Sequence, residues 1–325
     1  MTSINLSNGS ARITVRPDLG AGLSCYDVFA GNAWQPIFRT ADPATQHPFH
    51  LSNILLIPFS GRVSGGGFMF DGTFHPIDRN MESEKYPIHG NGFSSVWIVD
   101  EQADNHVILS LSAKGPGPFC YDASMTYRLD GMALIMELTI TSRASIRLPF
   151  GAGFHPWFVR DRETFLTASA DGVWLERADH LPEMFDAVSN HADMDFKTRL
   201  RLPERWINNW FTGWNGKAQI DWPARGIAAE IEAGEGLNQY VVFSPSAEAD
   251  FVCFEPVSHP VDAFNLPGGG QAHGMIVLEP SEILTVSNAT RPFYLSRELH
   301  APIEPRAHLA KRRKDRVPLE SAPRA

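Results

Sequence analysis

The sequence predicts an all-β fold, a large sandwich or barrel built from antiparallel strands. Three observations predict it. Short runs of alternating apolar and polar residues recur along the chain, Asp-Gly and Asn-Gly pairs punctuate them, and no long segment carries a helical period capped at both ends. With 325 residues, 43% of them hydrophobic, the chain can bury a large core.

The first alternating segment is Ala11–Arg16, where Ile13 and Val15 oppose Thr14 and Arg16. Asp42 and Pro43 look like the cap and first turn of a short helix over Asp42–Phe49. Asp71-Gly72, set between Phe68–Phe70 and Thr73-Phe74, reads as a hairpin turn. Val107–Ser112 alternates next. Ser124–Leu129 and Ala133–Thr141 alternate too, Asp130-Gly131 between Met125–Leu129 and Met132–Leu138 reads as a second hairpin, and Gly172–Glu176 follows Asp171 as another strand. Asn215-Gly216 marks a further turn. Many short strands at regular spacing suit a sandwich or barrel. With no internal repeat and no linker before residue 296, the economical division is one β domain over 1–295 and a tail over 296–325.

Net charge is −9, but unevenly spread. Residues 301–325 hold seven Lys/Arg and three acids, leaving +4 on the tail and −13 on the rest. An acidic body disfavours nucleic acid and anionic lipid as partners. The tail has four prolines and few large apolar residues, so it is expected to be a disordered basic segment. No apolar run approaches a membrane span, and Met1–Arg12 lacks the basic start and apolar run of a signal peptide. Cys25, Cys120 and Cys253 are odd in number and far apart, which suggests neither a disulfide framework nor a zinc knuckle. A reducing, cytoplasmic location is expected.

Four islands of polar residues interrupt strand-like sequence: Asn53 to Arg62, Tyr86 to Gly92, Gly151 to Phe158, and Phe251 to Pro260 with Asn265 beyond. In the last, Phe251, Cys253 and Glu255 share one face of a strand and Val252 and Phe254 the other. Apolar residues on both faces mean burial on both sides, where a carboxylate is costly unless paired. Glu255 is therefore either a tuned acid or base or a buried carboxylate held by a cation such as Arg62. His155 lies between glycines and Pro156, with Trp157 and Phe158 offering flat apolar walls. By itself it reads equally as a structural or a chemical group. His89 alone reads as a loop histidine, and Arg62 as half of an ion pair.

Together, Asn53…Gly61-Arg62, His89-Gly90, Gly153-Phe154-His155-Pro156 and Glu255-Pro256…Asn265 stand in the order seen in aldose 1-epimerases. The sequence most resembles the bacterial branch with a His-Pro-Tyr/Trp-Phe motif and a Phe-x-Cys-x-Glu-Pro strand. Trp214-x-Gly216 also fits, and Leu278-Glu279-Pro280 stands where the family usually has Leu-x-Pro-Gly. The resemblance covers roughly residues 10–292. It implies a galactose mutarotase-like supersandwich, a large antiparallel β-sandwich with its site on a concave sheet face. It implies Glu255 as general base and His155 as general acid, expected to face opposite sides of a sugar's anomeric centre. Arg62, His89, Asn53 and Trp157 are then substrate-binding. Asn208 stands where the family usually has Asp, which alters hydrogen bonding to the far hydroxyls because Asn donates as well as accepts.

The expected activity is aldose 1-epimerase (mutarotase) chemistry on a free aldose, with no cofactor and no metal, from a monomer or homodimer. A non-catalytic sugar-binding or sensing protein is the rival from another class. A phosphosugar epimerase would need an extra cationic cluster, for which Arg79 and Lys85 are the nearby residues. A glycoside hydrolase would need a second carboxylate, Asp262 or Glu279. Phosphate-loop and dinucleotide signatures are absent, as is paired His/Cys spacing for a metal.

Overall fold

A computed structural model describes residues 3–295; the basic segment expected to be disordered, 296–325, lies outside them. The strands build two large sheets, one of eleven strands and one of nine, and every strand pairing within them is antiparallel. This is the large β-sandwich the alternation predicts. No helix among the described residues is long and apolar enough to cross a membrane.

The middle of the eleven-stranded sheet runs, in spatial order, through Ala33–Phe38, Gly153–Val159, Phe251–Val257, Gln239–Ser244, Ile207–Thr212 and Gly172–Glu176, ending at the edge strand Pro182–Ala187. Asn53–Leu56 pairs alongside Gly153–Val159. Successive side chains take opposite faces. On one face Phe154, Phe158, Val252, Phe254, Tyr240, Val242 and Phe211 join the main core with Tyr127, Met136 and Trp222 of the nine-stranded sheet. On the other, Ile54, Trp157, Cys253, Val241 and Trp210 form a second core with loop residues Leu51, Phe93 and Val261. Burial on both faces is what the Phe251–Val257 pattern foretold. Polar ends of large aromatics tie the layers: Trp222 Nε1 donates to Val159 O at 2.8 Å and Tyr127 Oη to Ala21 O at 2.8 Å.

Both expected hairpins form. Asp71 and Gly72 take φ of 47° and 75° between Gly67–Phe70 and Thr73–Pro76. In the second, Asp130 pairs with Ala133, so the loop is Gly131-Met132, one residue later than the sequence signal suggests. The helix expected over Asp42–Phe49 does not form. Asp42 does cap a turn, accepting from Ala44 N at 2.8 Å. Pro48, however, disfavours helical geometry at His47, which is extended (φ −102°, ψ 122°) and instead caps a single 3₁₀ turn at Pro48–His50.

Phe254 tests this two-faced packing. It is fully buried, stacked on Tyr240 at 4.8 Å and edge-on to Trp214 at 5.5 Å. Phe254→Ala is expected to destabilise the fold by about 3–5 kcal/mol in urea denaturation. A loss below about 1 kcal/mol would contradict a rigid core behind the Glu255 strand.

Candidate active site

A cavity of about 310 Å³ opens on the face of the eleven-stranded sheet that carries the second core. Its size is at the small end for ligand sites. Alternation decides which residues reach it. His155 and Trp157 come from Gly153–Val159, Phe251 and Glu255 from Phe251–Val257, Val241 and Phe243 from Gln239–Ser244, and Asn208 and Trp210 from Ile207–Thr212. Gly153 permits the pairing beneath them, since a Cβ there would stand 2.9 Å from Pro256 O.

His155 and Glu255 meet at the floor, with Nε2 3.2 Å from Oε1 and side chains 10% and 5% exposed. They are neighbours, and at that distance no sugar ring fits between these two atoms; the expectation that they flank the anomeric centre from opposite sides is corrected on this point. Burial pushes the Glu255 carboxyl up to about 8, against a smaller opposing pull from Arg62. Burial, and then the nearby Arg39 cation, push His155 down to about 3. Between these values the pair holds one proton in total. Trp157 stacks on the His155 ring at 3.9 Å, with the Arg39 guanidinium 4.3 Å from the indole centroid. Arg39 is itself held by the Leu51 and Phe49 carbonyls.

Loops supply the opposite wall. Arg62 lines the cavity and makes a two-point ion pair with Glu84, Nε–Oε2 2.8 Å and Nη2–Oε1 3.2 Å, so it does not hold Glu255 directly. His89 adopts a left-handed φ of 58°, and its Nδ1 accepts from Gly61 N at 3.0 Å. The proton of the neutral ring then sits on Nε2, leaving a donor. Burial, with His155 and Arg62 nearby, holds His89 well below the ordinary histidine range. Gly90 is required beside it, because a Cβ would fall 2.0 Å from Ile57 O. Below this loop His259 accepts from Ser60 N at 3.1 Å, and it occupies the space that a side chain at Gly151 would need.

Of the expected site residues, His155, Glu255, Arg62, His89, Asn208 and Trp157 all line the cavity. Asn53 does not. It shares parity with Leu55, in the main core, rather than with Ile54 and Leu56, and its Nδ2 lies 3.8 Å from Met136 Sδ. Its assignment to substrate is therefore corrected. Asn265 binds the Ser64 and Gly67 carbonyls and Asp262. The sequence reading missed Arg39, Glu84, His180 and Trp206 as cavity residues. Trp206 shares strand parity with Asn208, a usable signal; the others come from loops or strand ends.

The cationic cluster a phosphosugar would need is not assembled from Arg79 and Lys85. Arg79 donates to Glu84 O at 3.3 Å, Lys85 to Asp179 at 3.4 Å, and neither lines the cavity. Asp262 and Glu279 likewise lie off it. Ligand atoms of His155, Cys253 and Glu255 fall within 4.8 Å of one another. A metal there would need the Cys253 thiolate, and burial, reinforced by Glu255, raises that thiol well above its ordinary value.

Comparison with known proteins adds an independent line. The family model described as aldose 1-epimerase matches residues 2–288. The uncharacterised protein YphB of Escherichia coli K12 is 33% identical over 246 residues, covering 74% of this chain and 83% of YphB. A crystal structure from Escherichia coli K12, provisionally described as an aldose 1-epimerase, superposes with a TM-score of 0.83 at 30% identity, covering 90% of this chain and 99% of that one. A galactose mutarotase-like protein from Clostridium acetobutylicum shares the fold, with a TM-score of 0.79 at 17% identity over 90% of this chain and 95% of its own.

The electrostatics of the floor are testable without substrate. Side-chain ¹⁵N shifts are expected to show His155 neutral at pH 5, and His89 titrating well below the ordinary value of about 6.5. Titration of His155 near that ordinary value would mean the floor is wetter than its burial implies.

Proposed function

We propose what this chain does from one premise: it belongs to the aldose 1-epimerase family. The reaction is interconversion of the α and β anomers of a free aldose by opening and reclosing its ring. The observation that carries the proposal is the buried His155–Glu255 contact at 3.2 Å on the cavity floor.

Ring opening needs a base at the anomeric hydroxyl and an acid at the ring oxygen. Both oxygens are bonded to the same carbon, so an acid and a base side by side match their spacing. Glu255 takes the hydroxyl proton as His155 gives one to the ring oxygen and the C1–O bond breaks. The aldehyde end rotates about C1–C2, and the same groups in reversed roles close the ring on the other face. The pair starts with one proton, which moves from carboxyl to imidazole across the contact to give carboxylate and imidazolium. Atoms and charge balance without a cofactor step. His89 Nε2–H and Arg62 support the reading as donors to sugar oxygens, and Trp157 as the support that fixes the His155 ring.

Polarimetry of freshly dissolved α-D-glucose, α-D-galactose and a pentose tests the reaction. Glu255→Gln and His155→Asn are each expected to lower kcat by about 10²–10⁴-fold. Full activity in both folded variants would sink the assignment.

The pH profile follows from the proton count. The active pair holds one proton, so kcat/KM falls as pH rises through about 8, where Glu255 loses its proton. On the acid side a second proton adds only toward about 3. An acid limb at the ordinary histidine value of about 6.5 would contradict this.

A further inference from the structure

Asn208 lines the cavity three strands away from His155, with Phe251–Val257 and Gln239–Ser244 between them. Its amide is not free to turn. Nδ2 donates to Glu176 Oε1. The same carboxylate accepts from His180 Nδ1 at 2.5 Å and from Trp206 Nε1 at 2.8 Å. Glu176 stands behind these three residues, its side chain 12% exposed.

An ionised carboxylate only accepts, so each partner must turn a hydrogen toward it. Asn208 thereby keeps Oδ1 for its other side. His180 turns its Nδ1–H to the carboxylate. Trp206 has a single N–H, already used, and offers its ring face; it is 44% exposed. Trp174 pairs with Trp210, and continuing that register by two residues brings 176 opposite 208. A bulge between Leu175 and Glu176 falls at this point, a device that re-aims side chains.

We propose that Glu176 is a positioning residue that sets sugar specificity: it fixes Asn208 with Oδ1 as a free acceptor at the far wall and so selects an uncharged aldose that directs a hydroxyl hydrogen at that oxygen. This rests on the mutarotase reading above. Asn208 then does the work of an aspartate without its charge. A phosphate or carboxylate on the sugar would meet the Asn208 acceptor oxygen with the Glu176 carboxylate behind it, an arrangement that repels it.

The test is a cycle of Glu176→Gln, Asn208→Asp and the double variant, assayed by mutarotation of D-galactose, D-glucose and glucose 6-phosphate. In Glu176→Gln the new amide can donate, which frees Asn208 to flip; KM for the preferred neutral sugar is expected to rise about tenfold, more than kcat falls. Asn208→Asp alone sets two carboxylates together and also loses affinity. In the double variant the amide at position 176 donates to the carboxylate at position 208 and the acceptor returns, so KM recovers to within about threefold of wild type. A merely structural role would make the double variant the worst of the three. The wild type supplies a check that needs no variant: of the 3-, 4- and 6-deoxy sugars, the one that loses affinity is not rescued by fluorine at that position, since fluorine cannot donate.

Unchanged KM in Glu176→Gln, a double variant worse than both singles, or preference for glucose 6-phosphate would each overturn the proposal. Should the wild type accelerate no sugar, the mutarotase reading fails. The wall is then read by saturation-transfer NMR with D-galactose and D-glucose: the same ranking of the four proteins supports it, and equal or absent binding by folded wild type overturns it.

Discussion

Everything at the cavity depends on a strand buried on both faces. Phe251–Val257 packs Val252 and Phe254 into the core between the sheets, while Cys253 and Glu255 face the second core. A carboxyl group in that position has lost its water and cannot stay charged cheaply. His155, one strand over, has lost its water too. Each disfavours its own ion, and their contact lets one proton serve both. Fold and reactivity are thus one constraint: the packing that stabilises the sandwich is also what tunes the pair.

The loops act differently. They bring polar groups to the cavity with backbone geometry that strands cannot supply. Gly61, His89 and Gly90 all take left-handed φ, and Gly61 N–H fixes the His89 ring. The Arg62–Glu84 ion pair then holds a cation close enough to oppose, without overcoming, the upward push that burial gives the Glu255 carboxyl. Rigid strands carry the pair, and hydrogen-bonded loops carry the groups that surround it.

Much of this was legible in the sequence because alternation is a local signal. The two faces of the Glu255 strand and both hairpins follow from residues a few positions apart. The same rule exposes the failure at Asn53, whose membership of a motif outweighed its parity with Leu55. The Asp42–Phe49 helix failed because Pro48 overrides a good cap. What alternation cannot carry is partnership across distance. Glu176 and Asn208 are 32 positions apart, and Arg62 and Glu84 are 22 apart. Nothing in their local sequence tells which carboxylate meets which amide or guanidinium. The identity of residue 208 could be read, but its orientation depends on a carboxylate behind it.

The order of strands across the large sheet has an evolutionary consequence. His155 and Glu255 occupy adjacent inner strands, whereas Glu176 belongs to the strand next to the edge, beside Pro182–Ala187 with its exposed Met184 and Phe185. Substitutions near a sheet margin disturb fewer neighbours than those at its centre. A lineage built on this scaffold can therefore vary the marginal residues at small cost in stability while the inner strands stay fixed. Divergence among relatives should accumulate from the rim inward, so that the lining nearest the edge changes before the floor does.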